Sequence, residues 1–125
     1  MMYQSRSRWG AIAVVLLAVS SSAVACSLTD SERQEIHQLI AAIEQSQCVF
    51  VRNNSEHDAE AAADHLRLKL KRGSRYISDS ETFIERLASK SSWSGKPYAI
   101  RCPGQPEVSS ASWLLQRLEQ IRSQG

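Results

Sequence analysis

The sequence predicts a small, mainly α-helical domain, α+β at the margin, with about four helices and a two-stranded antiparallel ribbon. Most of the chain carries apolar residues at helical spacing, whereas two short runs, 48–53 and 98–102, are rich in the aromatic and β-branched residues typical of strands. Cys48 begins the first run and Cys102 ends the second. If the two cysteines lie opposite each other in an antiparallel pair, a disulfide can join them, and we expect a Cys48–Cys102 disulfide to tie the ribbon.

The first 25 residues have the features of an export signal. Arg6 and Arg8 give a basic start without an acid, the run 9–19 is almost wholly apolar, and the small residues that follow end in Ala-Val-Ala. The apolar run is shorter than the roughly 20 residues of a membrane-spanning helix. We therefore expect residues 1–25 to be a secretory signal peptide and residues 26–125 to form one compact, mostly helical domain.

The charge of the domain beyond this segment limits its partners. Two of the fifteen Lys and Arg residues lie in the expected signal, which leaves 13 basic residues against 13 acidic ones and a net charge of zero. Nucleic acid is therefore not an expected partner, because binding to phosphates requires net or clustered positive charge.

The chain has three cysteines, so one remains if the ribbon disulfide forms. Cys26 directly follows the expected cleavage site, which is where bacterial lipoproteins carry their acylated cysteine. However, Ala23 stands where lipoprotein signals usually carry a larger aliphatic residue, and Ala-Val-Ala suits the ordinary signal peptidase. The prediction is a periplasmic protein, either soluble or anchored to a membrane through a lipid on Cys26.

A capping box opens the first predicted helix. The Thr29 hydroxyl is placed to accept from the backbone of Glu32, whose carboxylate reaches back, and the helix should end near Ser46. Its apolar positions follow the i, i+3, i+4, i+7 pattern at Ile36, Leu39, Ile40 and Ile43.

The ribbon follows this helix. With the two cysteines opposite each other, Phe50 pairs with Ile100 and Arg52 pairs with Tyr98. The segment 53–55, Asn-Asn-Ser, has turn chemistry because asparagine tolerates positive φ, and we expect its serine to cap the next helix.

Three more helices are predicted. The second covers about 58–72 and is stopped by Gly73, and the third opens with a capping box at 78–81 and runs to about Ser89. The last covers about 110–122.

Three runs of the sequence together resemble a known family: CVFVRN at 48–53, EAAADHLRLKL at 60–70, and FIE at 83–85 followed by SSWSGKPY at 91–98. The resemblance is to a domain-of-unknown-function family of small exported bacterial proteins that includes YfeK. It implies export to the cell envelope and a compact, mostly helical domain, and it supplies no catalytic residue. Asn54 departs from the family, which favours glycine there, but both residues accept left-handed geometry.

The polar loop that precedes the second strand is the most site-like segment. Its hydroxyls, its backbone N–H groups around Gly95 and its lysine could hold an anionic or sugar group, although no phosphate-loop or nucleophile motif is present. The alternative is a turn-rich connection whose hydroxyls cap the preceding helix. Together with the end of the first strand, the binding candidates are Arg52, Asn53, Ser91, Ser92, Ser94, Lys96 and Tyr98.

His65 is the one catalytic candidate. We expect a partly buried histidine that donates to a backbone carbonyl or a carboxylate, and a general base is the alternative. His57, Glu60 and Asp64 share a helix face, but no metal signature accompanies them, and acids early and cations late in this helix suit the macrodipole. No metal or cofactor is predicted.

Arg52 and Arg101 flank the ribbon. Ion pairs with acids from the helices are the preferred explanation for both arginines, and an exposed ligand surface is the alternative.

Three functions fit these observations. The first is a non-enzymatic binding or interaction module of the cell envelope, with an unidentified envelope component or protein as its partner. The second is a small envelope enzyme acting on a sugar or peptide, with His65 as base and a loop serine as its partner. The third is an inhibitor of an envelope-directed hydrolase, in which Trp93 on an exposed loop would contact the enzyme.

Overall fold

The structure is a computed structural model that describes Gly10, residues 12–19 and residues 27–125. Residues 12–19 are exposed and form neither helix nor strand. In the described part of the chain, none of the helices combines the length and the apolar character needed to cross a membrane. Most of the expected signal peptide, and Cys26 with it, lies outside the described residues.

The domain alternates helices with short strands. A 3₁₀ turn at Ser74–Tyr76 and a π-helical stretch at Ile84–Ala88 extend α2 and α3. The elements in chain order are α1 (Asp30–Gln45), β1 (Val49–Arg52), β2 (Ser55–His57), α2 (Ala59–Gly73), α3 (Ser80–Phe83), β3 (Ala99–Arg101), β4 (Val108–Ser109) and α4 (Ser110–Ser123).

The strands form one antiparallel sheet in the order β2-β1-β3-β4. The mainly helical class and the β1–β3 pair are confirmed, including the pairing of Phe50 with Ile100 and the Cys48–Cys102 disulfide. The prediction of only two strands is wrong, because β2 and β4 pair with the two outer edges of the ribbon. Unpaired edges expose N–H and C=O groups, and these two short strands satisfy them.

The hairpin between β1 and β2 explains one of these differences. Asn53 and Asn54 both adopt positive φ, at 50° and 64°, which is the geometry of a two-residue hairpin turn. Ser55 therefore begins β2 and pairs with Arg52, so the prediction that it caps the next helix is wrong. Asp58 is the cap, and its carboxylate accepts from the backbone N–H of Ala61 at 2.7 Å.

The capping box at Thr29 and Glu32 is confirmed. The second box begins one residue later than predicted, with Asp79 as the cap and Thr82 as its partner. The α-helix that follows is also shorter than predicted, because it continues as the π-helical stretch Ile84–Ala88.

The hydrophobic core lies between the sheet and the helices. Leu39, Leu66, Phe83, Ile100 and Leu114, one from each of five elements, are all at most 1% exposed. Burial of such side chains is the main favourable term in folding.

α2 and the π-helical stretch approach each other closely at Gly73. A Cβ built there would lie 2.9 Å from Cδ2 of Leu87, so the missing side chain permits this approach.

Candidate functional site

One face of α2 and the 3₁₀ turn that follows it supplies half of a pocket of about 490 Å³. His65, Lys69, Arg72 and Tyr76 follow one another at spacings of four, three and four residues, which places them in one row along the helix. The row ends at Tyr76, which is 55% exposed at the pocket mouth.

The sheet and the loop before β3 supply the other half. Arg52 ends β1, Asn53 begins the hairpin turn, and Tyr98 directly precedes β3. From the loop, Ser91, Ser92 and Trp93 complete the wall.

A chain of hydrogen bonds connects the two halves at the Tyr98 hydroxyl. Lys69 Nζ lies 3.2 Å from this oxygen, and His65 Nε2 lies 3.3 Å from it. An ammonium can only donate, so the Tyr98 oxygen accepts from Lys69 and its own proton is available to His65. This arrangement assigns Nε2 of a neutral His65 as the acceptor and places the ring proton on Nδ1.

The electrostatics of the pocket agree with a neutral His65. Burial, assisted by the positive charge of Arg52, lowers the pKa of His65 to about 4 and that of Lys69 to about 8. Burial also raises the pKa of Tyr98. Lys69 stays charged near neutral pH, and its ammonium lies 5.0 Å from the centre of the Tyr98 ring.

The residues that line the pocket include positively charged side chains but no carboxylate. Arg52, Lys69 and Arg72 line it, and no Asp or Glu is among the lining residues. Within residues 27–125, none of these three cations forms an ion pair with a carboxylate. The described residues therefore leave this pocket with a positive electrostatic character.

Hydrogen bonds fix the loop that carries Trp93. The Ser91 hydroxyl oxygen accepts from the backbone N–H groups of Trp93 at 3.3 Å and Ser94 at 3.2 Å, and from Nδ2 of Asn53 at 3.4 Å. The Ser94 hydroxyl in turn donates to Oδ1 of Asn53 at 2.5 Å. These bonds attach the loop to the hairpin, whereas the alternative considered for this loop had its hydroxyls cap the preceding helix.

The pocket collects most of the residues singled out in the sequence. His65 and five of the seven binding candidates line it, whereas Ser94 and Lys96 do not. Ser94 holds Asn53 from outside the pocket, and Lys96 is exposed. The five lining candidates are Arg52, Asn53, Ser91, Ser92 and Tyr98.

His65 is half-buried as predicted, but its partner is the Tyr98 hydroxyl. Within residues 27–125, neither a backbone carbonyl nor a carboxylate takes that place. Lys69, Arg72 and Tyr76 also line the pocket, and none of them is among the binding candidates predicted from the sequence. Their regular spacing from His65 along one helix was the signal that could have identified them.

The expected ion pairs are found for one of the two ribbon arginines. Arg101 pairs with Glu56 of β2 at 2.5 Å and approaches Glu107 at 3.5 Å, so its partners do not come from helices. Arg52 has no such partner within residues 27–125 and belongs to the pocket. Among the described residues, no group of three or more His, Cys, Asp and Glu is arranged to hold a metal ion.

The fold and the pocket together define a class of protein: a small, disulfide-tied α+β domain with a cationic, aromatic-lined cleft between a helix and the end of a strand pair. The chain belongs to the Family of unknown function (DUF5329), which matches residues 30–122. The resemblance noted in the sequence is thereby confirmed.

One similar curated protein is the "Uncharacterized protein YfeK" of Salmonella typhimurium. It is 40% identical to this chain over 87 residues, which cover 69% of this chain and 72% of that protein. No solved structure matches the chain.

Proposed function

We propose that this protein is an exported, non-enzymatic binding module of the cell envelope, and that the pocket between α2 and β1 binds an anionic ligand. The observation that carries the proposal is the presence of Arg52, Lys69 and Arg72 in a pocket lined by no carboxylate. Arginine and lysine bind carboxylates and phosphates through charge-assisted hydrogen bonds, which are about twice as strong as neutral ones.

Two features of the pocket favour binding over catalysis. The lone pair of His65 Nε2 faces the Tyr98 hydroxyl, so it is not directed at a substrate. The Ser91 oxygen accepts three N–H donors, which reduces its nucleophilicity. The alternative of a small enzyme with His65 as base would require both groups to leave these bonds.

Binding is tested by titrating the purified protein with inorganic phosphate and with acetate at low ionic strength, where exposed charges are least screened. Backbone amide shifts in nuclear magnetic resonance spectra should move around the pocket. Arg52→Gln and Lys69→Gln should each weaken binding about tenfold or more, the effect of losing one charge-assisted bond. Lys71→Gln is the matched control, because it removes the same charge from α2 outside the pocket. Equal losses of anion affinity in the Lys69→Gln and Lys71→Gln variants would show that only the overall charge of the domain attracts the anion.

Export is tested by fusing residues 1–25 to a reporter that is active only after it leaves the cytoplasm. Reporter activity with this segment, and its loss when the apolar run is interrupted by two aspartates, is the expected result. Mass spectrometry of the mature protein then identifies the new N-terminus and any acyl group on Cys26.

Trp93 favours inhibition of a hydrolase as a second candidate function. Its side chain is 92% exposed on a loop that Asn53 holds in place, as expected of a residue that enters another protein's cleft. The purified protein should then slow the digestion of peptidoglycan by a lysozyme, and Trp93→Ala should abolish the effect. Unchanged digestion at micromolar protein would exclude this enzyme class as the partner.

A further inference from the structure

We infer that the ligand of this pocket is an acidic sugar, a pyranose ring that carries a carboxylate or a phosphate. The inference rests on the proposed function, because it assigns a chemical class to the anion. It depends on the distribution of groups in the pocket, where cations, aromatic rings and small polar side chains occupy different places.

Two of the three cations lie close to each other inside the pocket. Lys69 is half-buried beside Tyr98, and Arg52 lies close enough to lower the pKa of both Lys69 and His65. Arg72 is exposed and lies one helical turn beyond Lys69. A carboxylate or phosphate bound beside Lys69 and Arg52 would pair with positive charge for which residues 27–125 supply no carboxylate.

An aromatic surface adjoins this position. Trp93 is 92% exposed although it is the largest apolar side chain of the loop, and it lines the same pocket as the cations. Tyr76 is also at the mouth, but the Arg75 guanidinium lies 4.7 Å from the centre of its ring and covers one face. Trp93 therefore offers the larger free surface on which a ring can stack.

The remaining polar groups favour a hydroxylated ring over a purely aromatic one. Ser92 is exposed, lines the pocket and has no hydrogen-bond partner within residues 27–125. Asn53 Nδ2 uses one of its two N–H groups on Ser91 and has the second available. Ring hydroxyls would meet a free donor or acceptor at both positions. The volume of about 490 Å³ fits a ligand of one or two sugar rings.

The test compares four probes on the purified protein: glucuronate, glucose 6-phosphate, glucose and inorganic phosphate. Binding is followed by amide shifts and by the indole N–H signal of Trp93, with the buried Trp113 as an internal reference. We expect the two acidic sugars to bind in the millimolar range or tighter and to shift Trp93. Glucose should bind at least tenfold more weakly, because it lacks the anion.

Variants separate this inference from the proposed function. Trp93→Ala should weaken the binding of the acidic sugars about tenfold and leave the affinity for phosphate unchanged, because only the sugar ring stacks on the indole. Trp93→Phe, which keeps an aromatic face, should restore most of the affinity. Tighter binding of glucuronate than of glucose 6-phosphate would identify a carboxylate sugar, and the reverse order a phosphorylated one.

Two results would overturn the inference. If phosphate binds as tightly as the acidic sugars and Trp93→Ala changes nothing, the pocket is a simple anion site, and the proposed function stands without the sugar. If no probe shifts the pocket amides, or if glucose binds as well as glucuronate, the anion site itself is refuted.

Discussion

Removal of the Cys48–Cys102 disulfide should destabilise this domain by about 4 kcal/mol. The two cysteines are separated by 54 residues, and the chain-entropy relation for a loop of that length gives roughly this value at 25 °C. Single domains of this size are stable by only about 5–15 kcal/mol, so the bond accounts for a large share of the total. For a domain of about 100 residues the loss corresponds to a decrease in melting temperature of about 20 °C.

The measurement is thermal and urea unfolding of three forms of the protein: oxidised, reduced, and the Cys48→Ala/Cys102→Ala double variant. Alanine is preferred to serine at these positions because Cys48 is only 5% exposed and a hydroxyl there would be buried. Cys26→Ala serves as the control for the loss of a cysteine outside the sheet. The reduced and double-variant forms should agree closely, and the control should match the oxidised protein.

A decrease in melting temperature below about 5 °C would refute the argument. It would mean that the unfolded chain gains little freedom when the bond is absent, either because the two strands stay associated or because the bond strains the folded state. The urea m-value distinguishes these cases, because residual association lowers the surface exposed on unfolding.

Three further predictions concern the pocket. Tyr98→Phe removes the hydroxyl between Lys69 and His65 but keeps the ring contact with Phe50, so it should lower the free energy of unfolding in urea by about 1–2 kcal/mol. A decrease below about 0.5 kcal/mol would contradict the hydrogen-bond chain. Burial, assisted by Arg52, lowers the pKa of Lys69 to about 8, so the affinity for acetate, whose own charge is constant here, should fall as the pH rises from 7 to 9. Lys69→Gln should remove that dependence. Burial lowers the pKa of His65 from 6.5 to about 4, so between these pH values the unfolded chain binds more protons than the folded one. The stability that the neutral His65 contributes above pH 6.5 is therefore lost as the pH falls to 4. After allowance for solvent screening this loss is about 1–2 kcal/mol, and urea unfolding at pH 7 and 4.5 should show it in the wild type and not in His65→Gln.

The parts of the fold that were predictable from the sequence are those with a strong local signal. The Thr29–Glu32 capping box determines where α1 begins, and the aromatic and β-branched content of the two cysteine-containing runs identifies β1 and β3. β2 and β4 have no such signal. Ser-Glu-His in β2 is wholly polar, and its strand geometry comes from pairing with β1 across the Asn53–Asn54 turn. β4 has only two residues, and its pairing with β3 is a tertiary effect.

Several residues of the candidate site were predictable from the sequence, but the pocket that they form was not. Sequence chemistry identified Arg52, Asn53 and the serine loop, because asparagine, serine and arginine on loops commonly bind ligands. Lys69 and Arg72 are among the cations late in the second predicted helix, and the macrodipole is a sufficient explanation for them there. Only the packing of α2 against the end of β1 shows that both also line a pocket.

The antiparallel register gives the disulfide a role beyond stability. Continuing the observed pairing of Val49–Val51 with Ala99–Arg101 by one residue in each direction brings Cys48 opposite Cys102 at one end and Arg52 opposite Tyr98 at the other. A slip of one residue between these strands would turn the Arg52 side chain to the opposite face of the sheet. The covalent bond prevents that slip. It therefore keeps Arg52 opposite Tyr98, each four residues from the disulfide along its own strand. Oxidation of the two thiols would then fix the register on which the pocket depends as well as stabilise the domain.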